Sequence, residues 1–385
     1  MDPRLIRRVR LWDRLATIVI TGGGLFTIIC VIGILLLIME VAVPLFLPPS
    51  AGLDETVIPP AGIHPQESIA VGLGEYNDNA YLIQRNGSVV FLDVDTGSIV
   101  TTHQVLRPDG KAGLVRHSDS FGRLIHSLMW SDGSLSLVQV QFPVSFDQGA
   151  NRIIGHEVAV LGESPPPAGV PKTLLGIARY QQDAGGTYLR VLANGRLHIS
   201  KEVIKRNIFG VVTKSEVSGS LDLGLNSPVT ALVADENGKK AYLGTADGHL
   251  LWVDIEDPAA ARLLDNVEAT NGATITALGL LLGDFTVVVG DAQGGLAGWF
   301  PLVDPADTSA SLELIHPLQP HQSAIVALAP SLRSKTMASL AADGSLQFNQ
   351  LTTERHLLNL EADGGLRLMS INLRANGVAG MDQDG

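Results

Sequence analysis

The stretch Ser227–Ile255, SPVTALVADENGKKAYLGTADGHLLWVDI, decides the fold. It opens on a β-branched, small-residue run that ends in Ala231 and Leu232. A turn follows at Asp235-Glu-Asn-Gly238, then a second apolar run from Lys240 to Gly244. Asp247-Gly248 makes the next turn, and Leu250–Ile255 makes a third run carrying Trp252. Short alternating runs bounded by Asn-Gly and Asp-Gly words read as antiparallel hairpins. A two-residue hairpin turn needs φ > 0 at both central positions, which Gly adopts freely and Asn or Asp adopt best among the rest.

The unit repeats. Asn86-Gly87, Asp132-Gly133, Asn194-Gly195, Asp247-Gly248, Gln293-Gly294 and Asp343-Gly344 each precede a Leu or Val two residues on. The intervals between these glycines are 46, 62, 53, 46 and 50 residues. Five of the glycines have an alanine 17 residues upstream: Ala70, Ala178, Ala231, Ala277 and Ala327. Three of those alanines sit in near-identical words, Ser227-Pro-Val-Thr-Ala-Leu232, Ala273-Thr-Ile-Thr-Ala-Leu278 and Ser323-Ala-Ile-Val-Ala-Leu328. A small residue at that position suits an inner strand crowded near a central axis. Trp252, Trp299 and Phe348 fall on third strands, and a less regular fourth strand precedes each following alanine. Four strands per roughly 40–50 residues make a propeller blade, and one such sheet covers its faces only by stacking on neighbours.

The expected fold is therefore all-β, a β-propeller of about seven blades with the last one incomplete. Its pattern resembles WD40-type or quinoprotein-type propellers, without their regular Gly-His opening and Trp-Asp ending. Blade 2 lacks the upstream alanine, and blade 3 carries an insertion around Lys201–Glu216. A Pro-rich loop, Gly162–Thr173, interrupts the β region. Leu366–Ser370 reads as one more inner strand, and Asp384-Gly385 closes another turn word with nothing after it. Two explanations stand: a chain cut from a longer reading frame, or closure of the last blade by an N-terminal stretch such as Glu55–Ile58. The unpaired sheet edge favours the first.

Ahead of the repeats, Leu15–Met39 holds no charged residue. About 20 apolar residues in a helix cross a bilayer's hydrocarbon core. The run exceeds a signal peptide's roughly 7–15 apolar residues, so it reads as an uncleaved anchor and not a leader. Arg4, Arg7, Arg8, Arg10 and Arg14 precede it, which places the N-terminus in the cytoplasm and the bulk of the chain on the far side, in a bacterium the periplasm. The expected segments are a basic head 1–14, a transmembrane helix 15–47, a Pro/Gly-rich linker 48–63 and the propeller 64–385. Glu40 marks the outer end of the helix, and Gly22-Gly-Gly24 would permit close packing of another helix. Cys30 lies mid-run, away from any lipoprotein signal.

Composition excludes several functions. The net charge is −12; residues 51–385 carry 22 Lys and Arg against 36 Asp and Glu, a net of −14. Such a surface repels a phosphate backbone, which argues against nucleic acid as a partner. Cys30 is the single cysteine, so the β region holds neither disulfide nor Cys-based zinc site. Nucleotide-binding, Ser-hydrolase, zincin and EF-hand motifs are absent. His316 and His321 are the closest histidine pair in the second half and read as loop residues. The Asp-Gly carboxylates read as turn formers, and Trp130, Trp252 and Trp299 as packing residues; Trp12 stands at the membrane edge. No catalytic, cofactor or metal residue is assigned, and the chain reads as no enzyme.

The head, Arg10-Leu-Trp-Asp-Arg14-Leu with Gly22-Gly-Gly24, Val31-Ile-Gly33 and Glu40-Val-Ala-Val-Pro44-Leu-Phe46, resembles the start of long bacterial PstC-type phosphate ABC transporter permease subunits. The late words Pro320-His-Gln-Ser323-Ala-Ile-Val and Thr352-Thr-Glu-Arg355-His-Leu-Leu358 resemble the propeller-like insert of that family. The resemblance implies a docking or regulatory module in phosphate import at the inner membrane. Its implied partners are the second permease, the ATPase and a periplasmic phosphate-binding protein. No position matches that family's translocation path or ATPase-coupling helices. The second expectation is a free-standing anchored interaction scaffold of the envelope-assembly type.

Overall fold

A computed structural model describes residues 3–46, 50–54, 56–58, 60, 63–147, 149, 152–182, 184–206, 212–304, 309–361 and 365–382. The chain divides into two units, Met1–Ser50 and Ala51–Gly385.

The first unit is one helix, α1, Pro3–Phe46. Helix therefore runs through the residues of the basic head as well. Its stretch Arg14–Val43 has a mean hydropathy of 2.8, long and apolar enough to cross a membrane. The apolar side chains from Leu15 to Val43 are exposed all round the helix, the pattern of a helix whose neighbours are lipid or other helices. A Cβ on Gly22, Gly23 or Gly24 would meet open space.

The second unit is built from six four-stranded antiparallel sheets. Blade 1 holds β1 Ser68–Leu73, β2 Asn79–Gln84, β3 Ser88–Asp93 and β4 Ile99–Gln104. Blade 2 holds β5 Val115–Phe121, β6 Ile125–Trp130 and β7 Leu135–Gln141; after a small hairpin, β8 Val144–Phe146 and β9 Arg152–Ile154, its outer strand is β10 Glu157–Ser164. Blade 3 holds β11 Thr173–Gln181, β12 Gly185–Leu192, β13 Arg196–Arg206 and β14 Val212–Asp222. Blade 4 holds β15 Val229–Ala234, β16 Lys240–Thr245, β17 His249–Asp254 and β18 Arg262–Glu268. Blade 5 holds β19 Ile275–Leu280, β20 Val287–Asp291, β21 Leu296–Val303 and β22 Ala310–Pro317. Blade 6 holds β23 Ile325–Pro330, β24 Thr336–Ala341, β25 Ser345–Gln350 and β26 Arg355–Glu361. A two-stranded sheet follows, β27 Leu368–Ile371 and β28 Val378–Met381.

The first strands form the inner ring. Each lies against the first strand of the next blade, and β27 lies between β23 and β1 to close the circle. The closing seam is polar and apolar together. Arg367 donates to the carbonyls of Ser68 (2.8 Å) and Pro65, and Asn372 Nδ2 donates to Asn77 Oδ1 at 2.7 Å. Met381 packs with Ile63, Val71, Leu82, Val90 and Leu92. Thr56–Ile58 form no strand, so the N-terminal closure weighed above does not occur there; Glu55 lies outside the described residues, as do Leu47–Pro49 and the last word Asp384-Gly385.

The turn glycines are where the repeat placed them, with a different geometry. All six of Gly87, Gly133, Gly195, Gly248, Gly294 and Gly344 have φ between 78° and 89°, while the Asn, Asp or Gln before each has negative φ. Each glycine N–H returns to the carbonyl three residues back, as in Gly87 to Gln84 (2.9 Å) and Gly344 to Ala341 (3.0 Å). The connection is thus a four-residue turn closed by a left-handed glycine and not the two-residue turn expected. The reason is local: Asn86 Oδ1 accepts the N–H of Ser88, and Asp132 and Asp343 accept those of Ser134 and Ser345. That Asx bond holds the acid in an ordinary backbone region.

A bulge sits in every first strand of the six blades, at Ile69, Arg116, Leu174, Thr230, Thr276 and Val326. The alanine expected near the axis follows the bulge in blades 1, 4, 5 and 6. In blade 3 the residue after the bulge is Leu175, and Ala178 lies three residues further along. In blade 2 it is His117. The insertion of blade 3 is an extension of the β13–β14 hairpin, with strands of 11 residues each.

Candidate functional site

Thr230 and Thr276 show what the bulge does in a tightly joined pair of blades. Thr230 Oγ1 donates to the carbonyl of Ile275, and Thr276 Oγ1 to that of Ile325, each at 2.6 Å. Each hydroxyl bridges its own first strand to that of the next blade. At the other four bulges, Ile69, Arg116, Leu174 and Val326, the side chain has no hydroxyl with which to make this bridge.

A cleft of about 470 Å³ opens between blades 1, 2 and 3. Its walls are Arg85, from the β2–β3 turn, Val115–His117 at the start of β5, Met129 and Ser131 beside the β6–β7 turn, and Leu174–Leu175 at the start of β11. Val115 and Met129 are buried, whereas Leu114 and Leu174 are 54% and 53% exposed. The Val115 N–H donates to the Arg85 carbonyl (2.7 Å), which sets the two arginine-bearing segments side by side.

The cleft is cationic in an acidic unit. Arg116 is exposed and has no hydrogen-bond or ion-pair partner among the described residues. Arg85 meets only Glu67, at 3.5 Å and with both side chains half exposed, a pairing worth little in water. Arg367 stands close enough for the Arg85 charge to add to the main effect, burial, in lowering its own pKa. Asp132, next to the cleft residue Ser131, is taken by Arg107 at 2.8 Å and by Ser134. Burial lowers the pKa of His117, Asp119 opposes this, and Arg179 adds to it. The imidazole is therefore neutral at pH 7.

Other buried polar groups hold the blades together. Arg179 spans three first strands, ion-paired to Asp119 of β5 and donating to the carbonyl of Ala234 at the end of β15 (2.8 Å). Arg190, fully buried, donates to the carbonyls of Gly133, Ser164 and Pro165 and so ties blade 3 to blade 2. Tyr81 Oη and His126 Nε2 share a buried hydrogen bond of 2.8 Å between blades 1 and 2.

The residues weighed in the sequence do not converge. His316 contacts Glu354 at 3.2 Å. His321 is buried between Ser345 and Ser339 at 2.9 and 2.8 Å. Among the described residues no three His, Cys, Asp or Glu side chains converge to hold a metal ion, and no catalytic constellation is assembled. Trp130 donates to Ser136 at 2.9 Å, while Trp252 and Trp299 pack in the cluster between blades 4 and 5. Glu40 and Cys30 lie on α1. The arginines of the cleft were not singled out from sequence. Their signal was the departure itself: the position 17 residues before Gly133 holds Arg116, where most repeats hold alanine.

No family model and no curated protein matches this chain. Solved structures do. The β-propeller domain of Cps50 (Swd1) from Myceliophteria thermophila is similar with a TM-score of 0.54 at 14% identity, over 82% of this chain and 93% of that one. Raptor from Chaetomium thermophilum is similar with a TM-score of 0.52 at 10% identity, over 83% of this chain and 27% of that one. At these identities the likeness speaks for the fold alone.

The comparisons overturn the permease reading. Neither structure is a transporter, and no family or curated match supports phosphate import, ABC-transporter partners, a periplasmic binding protein or a bacterial inner-membrane and periplasmic location. The words that carried the resemblance have a simpler physical role. Pro320-His321 is a blade connection whose His is satisfied by two serines, Leu351–Thr353 is a 3-10 turn, and Arg355–Glu361 is an outer strand. The head is a long apolar helix of the kind any single anchor needs.

Proposed function

We propose that this chain is a membrane-anchored protein-interaction scaffold: α1 lies in a bilayer and the propeller presents a rigid surface to a protein partner. What supports this most is the closed inner ring with an open cleft between blades 1, 2 and 3. A ring of sheets joined by buried arginines and bulge hydroxyls holds surface groups in fixed relative positions, which lowers the ordering cost of binding. The similar structures are consistent with a propeller of interaction type. In the finer reading the propeller is WD40-type with seven blades, β27–β28 being the inner half of the seventh. The test is affinity purification of the tagged full-length chain from its own membranes after mild crosslinking. A second protein recovered in fixed stoichiometry, and lost when the cleft is altered, is expected. A chain that sediments with membranes yet is recovered alone at every crosslinker length contradicts the proposal.

A further inference from the structure

Two arginines, one neutral imidazole and an apolar wall meet in the cleft between blades 1, 2 and 3, and each constrains what fits there. Arg116 lines the cleft with Arg85; among the described residues its guanidinium has no partner, and the pairing of Arg85 with Glu67 is loose and exposed. Arg367 lies near enough to feel the Arg85 charge. The unit around them carries a net charge of −14, from 22 basic and 36 acidic residues in 51–385. Acids are thus plentiful, yet the mouth of this cleft leaves its arginines open. A guanidinium left so presents a planar fork matched to a carboxylate.

The rest of the lining is largely apolar. Leu114 and Leu174 stand half exposed above the buried Val115 and Met129. Burying the two leucines under a partner's apolar side chain removes surface from water at about 25 cal/mol per Å². A volume near 470 Å³ takes a few side chains and not a folded domain.

We infer that the cleft is a docking site for a peptide segment of a partner protein in which a Glu or Asp lies next to a large apolar residue. The carboxylate engages Arg116 and Arg85, and the apolar side chain lies on Leu174 and Leu114. His117 and Ser131 offer hydrogen bonds to the peptide backbone between them. This rests on the scaffold reading and adds the chemistry of the partner to it.

Fluorescence anisotropy on the full-length chain in neutral detergent micelles tests the inference. The probes are three labelled octapeptides: one alternating Glu and Leu, one with Gln for Glu, and one with Ser for Leu. The Glu–Leu peptide is expected to bind at least tenfold more tightly than either counterpart. Arg116→Glu is expected to remove that preference, and Leu174→Glu, in the apolar lining, to weaken binding at least tenfold. Both residues are exposed, so unchanged melting of each variant checks the fold. Equal binding of the Glu and Gln peptides, no binding of any peptide, or full affinity in Arg116→Glu overturns the inference. The scaffold reading fails separately: Arg116→Glu that still recovers the wild-type partner from membranes sinks the cleft alone, and a wild-type chain that recovers none sinks the scaffold.

Discussion

At the scale of single residues, His126 shows how burial couples this fold to pH. The ring is 2% exposed and shares one hydrogen bond with Tyr81, while its Nδ1 has no partner. Burial pushes its pKa down to about 4, and the nearby Asp119 only partly opposes this. In the unfolded chain the imidazole titrates near 6.5. Between these values the unfolded state binds a proton that the folded state refuses, so stability is lost as pH falls from about 6.5 to about 4. The loss from this residue is on the order of 3 kcal/mol. Burial lowers His117, His156, His198 and His321 in the same direction. His126→Gln keeps a hydrogen-bonding group for Tyr81 and removes the titration. Melting temperature measured at pH 4.5 and 7.5 is expected to differ less in that variant than in wild type. An unchanged difference would show that His126 is not a source of acid sensitivity.

At the scale of elements, the bulge is the unit that joins blades. Thr230 and Thr276 each make a buried-side bridge to the next first strand, and each such bond contributes about 1 kcal/mol. Thr230→Val and Thr276→Val are each expected to lower the unfolding free energy by about 1 kcal/mol. Thr230 bonds the carbonyl next to Thr276 in β19, so the loss in the double variant is expected to differ from the sum of the two. A neutral effect would mean that the first strands are held by apolar packing alone. This element also shows how far the sequence could be read. Five Asp-Gly or Asn-Gly words and Gln293-Gly294 located the six hairpins because the left-handed glycine is a local demand. The alanine register located five of the inner strands, Ala178 lying within β11. In blade 3 the longer β11–β12 hairpin sets that alanine three residues beyond the position after the bulge. The β8–β9 hairpin was not foreseen, as Pro143 and short polar segments hide its pairing in the sequence. The cleft was visible only as a gap in the pattern at Arg116, because an open site arises from what neighbouring blades fail to do.

At the scale of the whole molecule, two features act together, a helix with apolar residues on every side and a ring closed by noncontiguous strands. The ring is shut by Arg367, Asn372 and Met381 acting across almost the full length of the β unit. Closing so long a chain segment costs entropy that grows only slowly with length, so a few hydrogen bonds and one apolar cluster suffice. In the proposed anchored scaffold, even a weak peptide site would meet its partner at raised effective concentration. The permease resemblance misled because an apolar head and blade-connecting words are shared by physical need and not by descent alone. The most direct measurement is photo-crosslinking from a benzoylphenylalanine placed at Leu174 of the full-length chain in its native membranes. The account predicts one discrete adduct, heavier than the 40.7 kDa chain, that fractionates with membranes and disappears with Arg116→Glu. A chain that stays at its own mass from Leu174 and from Leu114 would contradict it.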